Sequence, residues 1–225
     1  MRLFSVQPRF IYDVLQTEGR FLAQPMKAGD EWEMADMPAA TIAYDWLCRE
    51  MESRGLLQPA GDGIYPIWAW KQYQGPARSR PDLRDSMMRS WARNARHVLL
   101  TLDIPDPEVL LHDYEAWHYP LNHWYLGSVK AKKDFECRCK RAGFSLHGAV
   151  PLADAALREE LEASWRLIFD LDAIQRLLKG SSATQTIQAT FWELRADQVI
   201  SAVEFGAGRP KQTLPRPAGR CRIGG

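Results

Sequence analysis

Phe10, Ile11, Val14 and Leu15 recur at the three- and four-residue spacing of a helix. They predict an amphipathic helix over about Arg9–Glu18, opened by Pro8 and stopped by Gly19. Before it, RLFSVQ alternates like a short strand. A polar, Met-rich connection leads to Ala40, Ala43, Tyr44, Leu47 and Met51, a second helix closed by Gly55. In GIYPIWAWKQY the pattern changes to period two: Trp68 and Trp70 take one face of a strand, Ile67 and Ala69 the other. Pro66 either starts this strand or confines it to a sheet edge. QGPARSRPDLRD reads as an exposed loop, and HVLLTLD, apolar almost throughout, as a buried central strand. Asp106 and Pro107 mark a turn before Val109, Leu110 and Leu111. Leu157, Leu161, Trp165 and Ile168 define a helix entered through PLADA, and TIQATFWELRADQVISAVEF returns to the strand period.

This order of elements predicts an α+β fold over residues 1–205, a single globular domain with a mixed or mainly antiparallel sheet flanked by helices. Residues 206–225 carry glycine, proline and arginine without an acidic side chain, a tail too poor in apolar groups to order itself. At 225 residues and 46% hydrophobic content the chain suffices for one core. The 29 basic and 28 acidic residues cancel, so any affinity for nucleic acid is local rather than global. No apolar run approaches membrane-span length, and Gln7, Pro8 and Arg9 interrupt any signal-peptide core, so a cytoplasmic protein with no membrane partner is expected. Cys48, Cys137, Cys139 and Cys221 match no common zinc spacing and no nucleophile motif, and are expected to be free thiols. The P-loop, the dinucleotide-binding glycine fingerprint and the hydrolase GxSxG motif are all missing.

The stretch HDYEAWHYPLNHWYLG gathers rings. His112, His118 and His123 are spaced by six and five, which does not align them on one helical face, and no metal is expected. If a helix starts near Pro120, Leu121, Trp124 and Tyr125 share a face, and Trp117 and Trp124 read as packing residues. His118 and Asn122, four apart, then occupy a neighbouring stripe suited to a ligand. The following SVKAKKDFECRCKRAG is read as a solvated loop, with contact to phosphate or nucleic acid as the alternative.

YPIWAW, VLLTLDIPDPEVLLHDYEAWHYPLN, SWRLIFDLD and QATFWEL resemble the domain-of-unknown-function family 3841, a bacterial family, over nearly the whole chain to about Phe205. That resemblance implies a shared fold and no particular activity. The layout is also similar to that of ADP-ribosyltransferases: a polar residue on the first strand, an aromatic middle strand and a late strand beginning Gln-Ala. It implies NAD as cofactor, with Gln7 holding its ribose, Trp68 or Trp70 bracing the nicotinamide pocket, and the Gln188 strand offering a carboxylate. The usual glutamate position holds Thr190, leaving Glu193, which faces the other side of a regular strand.

Two function classes follow. One is a NAD-using transferase with Glu193 and His118 as catalytic residues, and with Gln7, Trp68, Trp70, Asn122 and Gln188 around a nucleotide-like molecule in one cleft. The other is a non-catalytic module binding a ligand, a protein or nucleic acid through the aromatic wall. There the basic residues of 130–141 and the tail arginines Arg209, Arg216, Arg220 and Arg222 carry the contact.

Overall fold

The computed structural model describes residues 1–24, 38–61, 63–144, 152–206 and 208–218. Among these, seven α-helices and nine strands form an α+β fold whose main sheet is largely antiparallel. Two compact units divide the chain: residues 1–24, 58–111 and 186–225, and residues 25–57 and 112–185. Most of the polar, Met-rich connection, residues 25–37, lies outside the described residues, as do Arg220 and Arg222. Among the described residues no helix is long and apolar enough to cross a membrane.

The first unit is built on the sheet. Its strands are β1 (Arg2–Pro8), β3 (Ile67–Gln72), β4 (Arg96–Asp103), β5 (Leu110–Asp113, the chain leaving the unit after Leu111), β6 (Ile187–Phe191), β8 (Val199–Gly206) and β9 (Arg209–Leu214). The order across the sheet is β5-β6-β3-β1-β4-β8-β9. HVLLTLD is the central β4, with Val98, Leu99, Leu100 and Leu102 all buried. Pro66 precedes β3 and does not make it an edge, since β3 lies between β6 and β1. The late two-residue period is not one strand. It breaks at Trp192, after which Glu193–Arg195 (β7) turns away to pair with Arg20–Leu22 (β2) in a separate two-stranded sheet. Arg209–Leu214, within the stretch whose composition predicts no order, pairs along β8 as the outer strand β9, where backbone hydrogen bonds replace the missing apolar burial.

Pairing fixes which side chains share a face. Leu3 lies opposite Leu102 and Ser5 opposite Leu100, Leu100 lies opposite Ala202, and Ile67 and Ala69 lie opposite Phe191 and Ala189. These apolar positions form one core with Ile11, Tyr12 and Leu15 of α1 (Arg9–Glu18). Each large aliphatic side chain buried there contributes about 1.5–3 kcal/mol. Gly19, in the left-handed region, ends α1 by donating to the Leu15 carbonyl.

The second unit is helical: α2 (Pro38–Ser53), α4 (Tyr114–Leu121), α5 (Val129–Arg141), α6 (Ala155–Trp165) and α7 (Leu171–Leu178). The short α3 (Ser86–Trp91) belongs to the first unit. Trp46 of α2 is the aromatic centre of the second unit, edge-on to Trp165 at 5.4 Å and stacked on Phe169 at 5.7 Å. Buried Glu50 is shared by Arg54 and Arg166, the latter at 2.8 Å, which compensates a carboxylate that burial alone would penalise. The basic stretch after Ser128 is helix α5 rather than a loop. Phe135 and Cys139 give it a buried face, and the Ser128 hydroxyl caps it by accepting from the Ala131 amide.

Gly206, at the β8 end, has φ of +102°, and a Cβ there would lie 2.6 Å from the Ala95 carbonyl oxygen and 2.8 Å from the Ala92 Cβ. Gly208 in the same hairpin has φ of +69° but open space around it. Gly208→Ala is expected to cost about 1 kcal/mol from backbone strain alone, and Gly206→Ala about 3 kcal/mol because the Ala95 backbone must also move. Thermal denaturation of the two variants checks this, and equal losses would show that no close approach exists at Gly206.

Candidate functional site

Gln7 and the indoles of Trp68 and Trp70 occupy opposite faces of the same sheet. Phe4 is paired with Trp70 and Trp70 with Gln188, so Phe4, Trp68, Trp70, Gln188 and Thr190 project from one face. Gln7 lies one pleat out of phase with them, in a cross-strand row with Val98, Glu204 and Gln212. Its amide donates to the Ser5 hydroxyl at 2.7 Å, and Ser5 donates onward to the Trp68 carbonyl at 2.7 Å. These bonds tie β1 to β3 through side chain and backbone. Of the sequence-predicted group, the register therefore brings together Trp68, Trp70 and Gln188, and separates them from Gln7. Gln188 is buried, and its Oε1 has no hydrogen-bond partner among the described residues.

Glu193 stands apart from both groups. It lies on β7, where Arg20 and Arg195 each reach its carboxylate at 3.7 Å. Arg195 is itself shared with Glu108 at 3.1 Å and Asp197 at 3.5 Å. This network of partly exposed charges explains the glutamate without a substrate.

In the second unit, His118 and Asn122 bond to their own helix. The Asp113 carboxylate caps α4 by accepting from the Ala116 amide at 2.9 Å. His118 Nδ1 lies 3.1 Å from the Tyr114 carbonyl oxygen, its ring edge-on to Tyr114 at 5.1 Å, and the Asn122 amide donates to the His118 carbonyl at 2.7 Å. No helix begins at Pro120. Pro120 lies inside the last turn of α4, where it lacks the N–H that would return to Ala116; the helix closes at Asn122, and His123, with φ of +54°, turns the chain away. Trp117 is buried as expected, edge-on to Tyr44 at 5.8 Å. Trp124 is not a packing residue. Carried past the helix end, its ring is 45% exposed, while its carbonyl accepts from the buried Trp165 indole at 2.8 Å.

Beside that exposed indole runs α5. At 3.6 residues per turn, Lys130, Lys133, Cys137, Lys140 and Arg141 fall within an arc of about 100°, and all five are exposed. None of the four cations on this stripe joins an ion pair among the described residues. The neighbouring Arg138 and Lys132 do, with Glu160 and Glu136. Lys132 also lies over the Trp124 ring, 6.0 Å from its centroid.

Two hollows of the first unit are lined by described residues. One, of about 350 Å³, is lined by Arg96, Glu204, Phe205, Gly206, Pro210 and Lys211 among others. There Glu204 is buried between Arg9, at 3.4 Å, and Arg96, an arrangement that offsets its desolvation. The other, of about 330 Å³, is lined by Tyr73, Arg78, Ser79, Arg80, Asp82 and Arg84 among others. Proline and glycine mark that segment as a loop and conceal its chemistry. The readable signal is charge, six arginines against two aspartates over residues 76–96.

Residues 2–200 match the sequence profile of the family described as a domain of unknown function (DUF3841). The chain belongs to this family. No curated protein and no solved structure matches it. Membership in DUF3841 therefore brings no catalytic residue or ligand with it, and the chemistry must be read from the side chains themselves. Among the described residues no three His, Cys, Asp or Glu side chains are grouped to hold a metal ion. Cys48 is a poor nucleophile, because burial, assisted by Asp45 and Glu52, pushes its thiol up to about 12.

His112 is fully buried, and burial holds its imidazole neutral, bringing its pKa from 6.5 down to about 4. As pH falls through 6.5 the unfolded chain takes up a proton at this position that the folded chain refuses until about pH 4. Its contribution is therefore intact above pH 6.5 and is lost on the way down, by about 3 kcal/mol in total. Urea unfolding at pH 7 and pH 4.5 should show a steeper loss for the parent than for His112→Gln, and identical losses would contradict a neutral buried imidazole.

Proposed function

We propose that the protein is a non-catalytic binding module for single-stranded nucleic acid, using α5 and Trp124 of its second unit. The observation that carries this reading is the exposed indole of Trp124 under Lys132 of α5, on the same helix whose outer face bears Lys130, Lys133, Lys140 and Arg141. Cations placed along one face attract a phosphate backbone by displacing its counterions, and an exposed ring offers a surface on which any base can stack. The apolar face of α5, Phe135 and Cys139, is already buried in its own unit, and exposed Val129 at its first turn is too little apolar surface to anchor the helix in a bilayer. Electrostatics and stacking remain.

The transferase reading, with NAD as cofactor, rests on Gln7, Trp68, Trp70 and Glu193 meeting around one ligand. It is placed second, because Gln7 and the indoles take opposite faces of the sheet and Glu193 is held by arginines. Saturable heat on titration with NAD, lost in Glu193→Gln, would restore it.

Fluorescence anisotropy with a labelled single-stranded oligonucleotide tests the first reading. With four backbone phosphates neutralised, the logarithm of affinity should fall with the logarithm of salt at a slope of about −3. Lys133→Glu with Lys140→Glu should flatten the slope, and Trp124→Ala should weaken binding about tenfold, as loss of one stacked base would. Binding that is absent at low salt, or unaltered in these variants, would overturn the assignment.

A further inference from the structure

We infer that the hollow between residues 73 and 84 is a site for a phosphomonoester, the dianionic end group of a small molecule. It shares no residue with the α5 surface and stands independently of the nucleic-acid reading. The walls are a closed turn: the Tyr73 amide donates to the Ser79 carbonyl at 3.1 Å, the Gln74 amide to Arg78 at 3.1 Å, and the Arg78 amide to Gly75 at 3.0 Å. Gly75, with φ of +82°, supplies the left-handed residue from which the short 3₁₀ turn Pro76–Arg78 begins. Tyr73 is buried and edge-on to Trp70 at 5.2 Å, so the sheet itself braces one side of the hollow.

The charge around the hollow selects the ligand. Three guanidiniums line it, those of Arg78, Arg80 and Arg84. One is already neutralised: Arg84 grips Asp82 through Nε at 3.0 Å and Nη2 at 2.7 Å, and its amide bonds the same carboxylate at 2.9 Å. That grip holds the Asp82 carboxyl well below its usual range, with Lys211 adding to the effect from β9. Arg78 bonds only an uncharged group, the Gln74 amide oxygen at 3.4 Å, and Arg80 joins no ion pair among the described residues. Arg78, Arg80, Arg84 and Lys211 are set against Asp82 and against Asp85, which accepts from Gln74 at 3.5 Å and acts on Arg84, so two positive charges around the hollow stay uncompensated. A phosphomonoester carries about −1.5 to −2 at neutral pH and offers three oxygens to planar guanidiniums. A phosphodiester carries one charge, which leaves one guanidinium unmatched. The volume, about 330 Å³, lies at the lower end of ligand pockets and fits a phosphorylated metabolite rather than a polymer.

The test uses the full chain with adenosine monophosphate, its 3′,5′-cyclic diester and adenosine, each followed by isothermal titration at fixed ionic strength. The monophosphate is expected to bind at least tenfold more tightly than the diester, with adenosine giving no heat. Between pH 7.5 and pH 5 its affinity should fall severalfold as the phosphate, whose second pKa is about 6, takes up a proton. Arg78→Ala with Arg80→Ala should abolish binding, while Arg89→Ala, an exposed arginine outside the hollow, should leave it unchanged. Equal affinity for monoester and diester would overturn the inference, as would equal weakening by Arg89→Ala, or no binding at any pH. Because the oligonucleotide assay depends on α5 variants and this one on loop variants, either assignment can fail alone.

Discussion

The alternation of side chains across β1, β4 and β8 is the constraint on which the first unit depends. Pairing of Leu3 with Leu102, Ser5 with Leu100 and Leu100 with Ala202 sends one set of side chains beneath α1 and the other set to the opposite face. A slip of one residue in β1 would exchange its two faces, carrying Gln7 from the row of Val98 to the side of Trp68 and Trp70 and Phe4 to the side of α1. The same alternation separates Gln7 from Trp68 and Trp70. It also aligns Gln7 with Val98, Glu204 and Gln212, so a polar row ends the apolar face close to where Arg9 and Arg96 meet Glu204.

The second unit is held differently. Its centre is a set of indoles, Trp46 against Trp165 and Phe169, and its buried carboxylate Glu50 is compensated by two arginines from separate helical turns. Aromatic packing of this kind fixes the angle between helices through ring geometry. One consequence is the position of Trp124. Its carbonyl accepts the Trp165 indole N–H and is anchored, while its own ring stays in solvent, stabilised on one side by Tyr119 at 6.1 Å. An exposed tryptophan held at its backbone is preorganised for contact at little entropic cost.

Strong local periodicity was readable. The helix over Arg9–Glu18 follows from the spacing of its apolar set, and the central strand of HVLLTLD from an unbroken apolar run of strand length, buried on both faces of the sheet. The class of the fold was readable from the order of the elements, and membership of the family from the resemblance carried by YPIWAW, SWRLIFDLD and QATFWEL. Long-range pairing was not. Nothing in QATFWEL announces that the strand ends at Trp192 and that Glu193 changes sheets, since β7 is stabilised by Arg20–Leu22, far away in sequence. Similarly, a chain as polar as Arg209–Leu214 becomes a strand because β8 offers it a ladder. The charged run after Ser128 looks like a loop when its charges are counted and like a helix when Phe135 and Cys139 are placed four apart. The loop arginines were visible in the sequence, but which of them is neutralised depends on the Asp82–Arg84 contact.

Faces and register together decide which groups meet, and cross-strand proton contacts report register directly. In nuclear Overhauser spectra of the isotopically labelled protein, backbone protons of Gln7 should lie close to those of Val98, those of Val98 close to Glu204, and those of Glu204 close to Gln212. Contacts displaced by one residue between β1 and β4 would turn Gln7 toward the indoles and contradict the separation described.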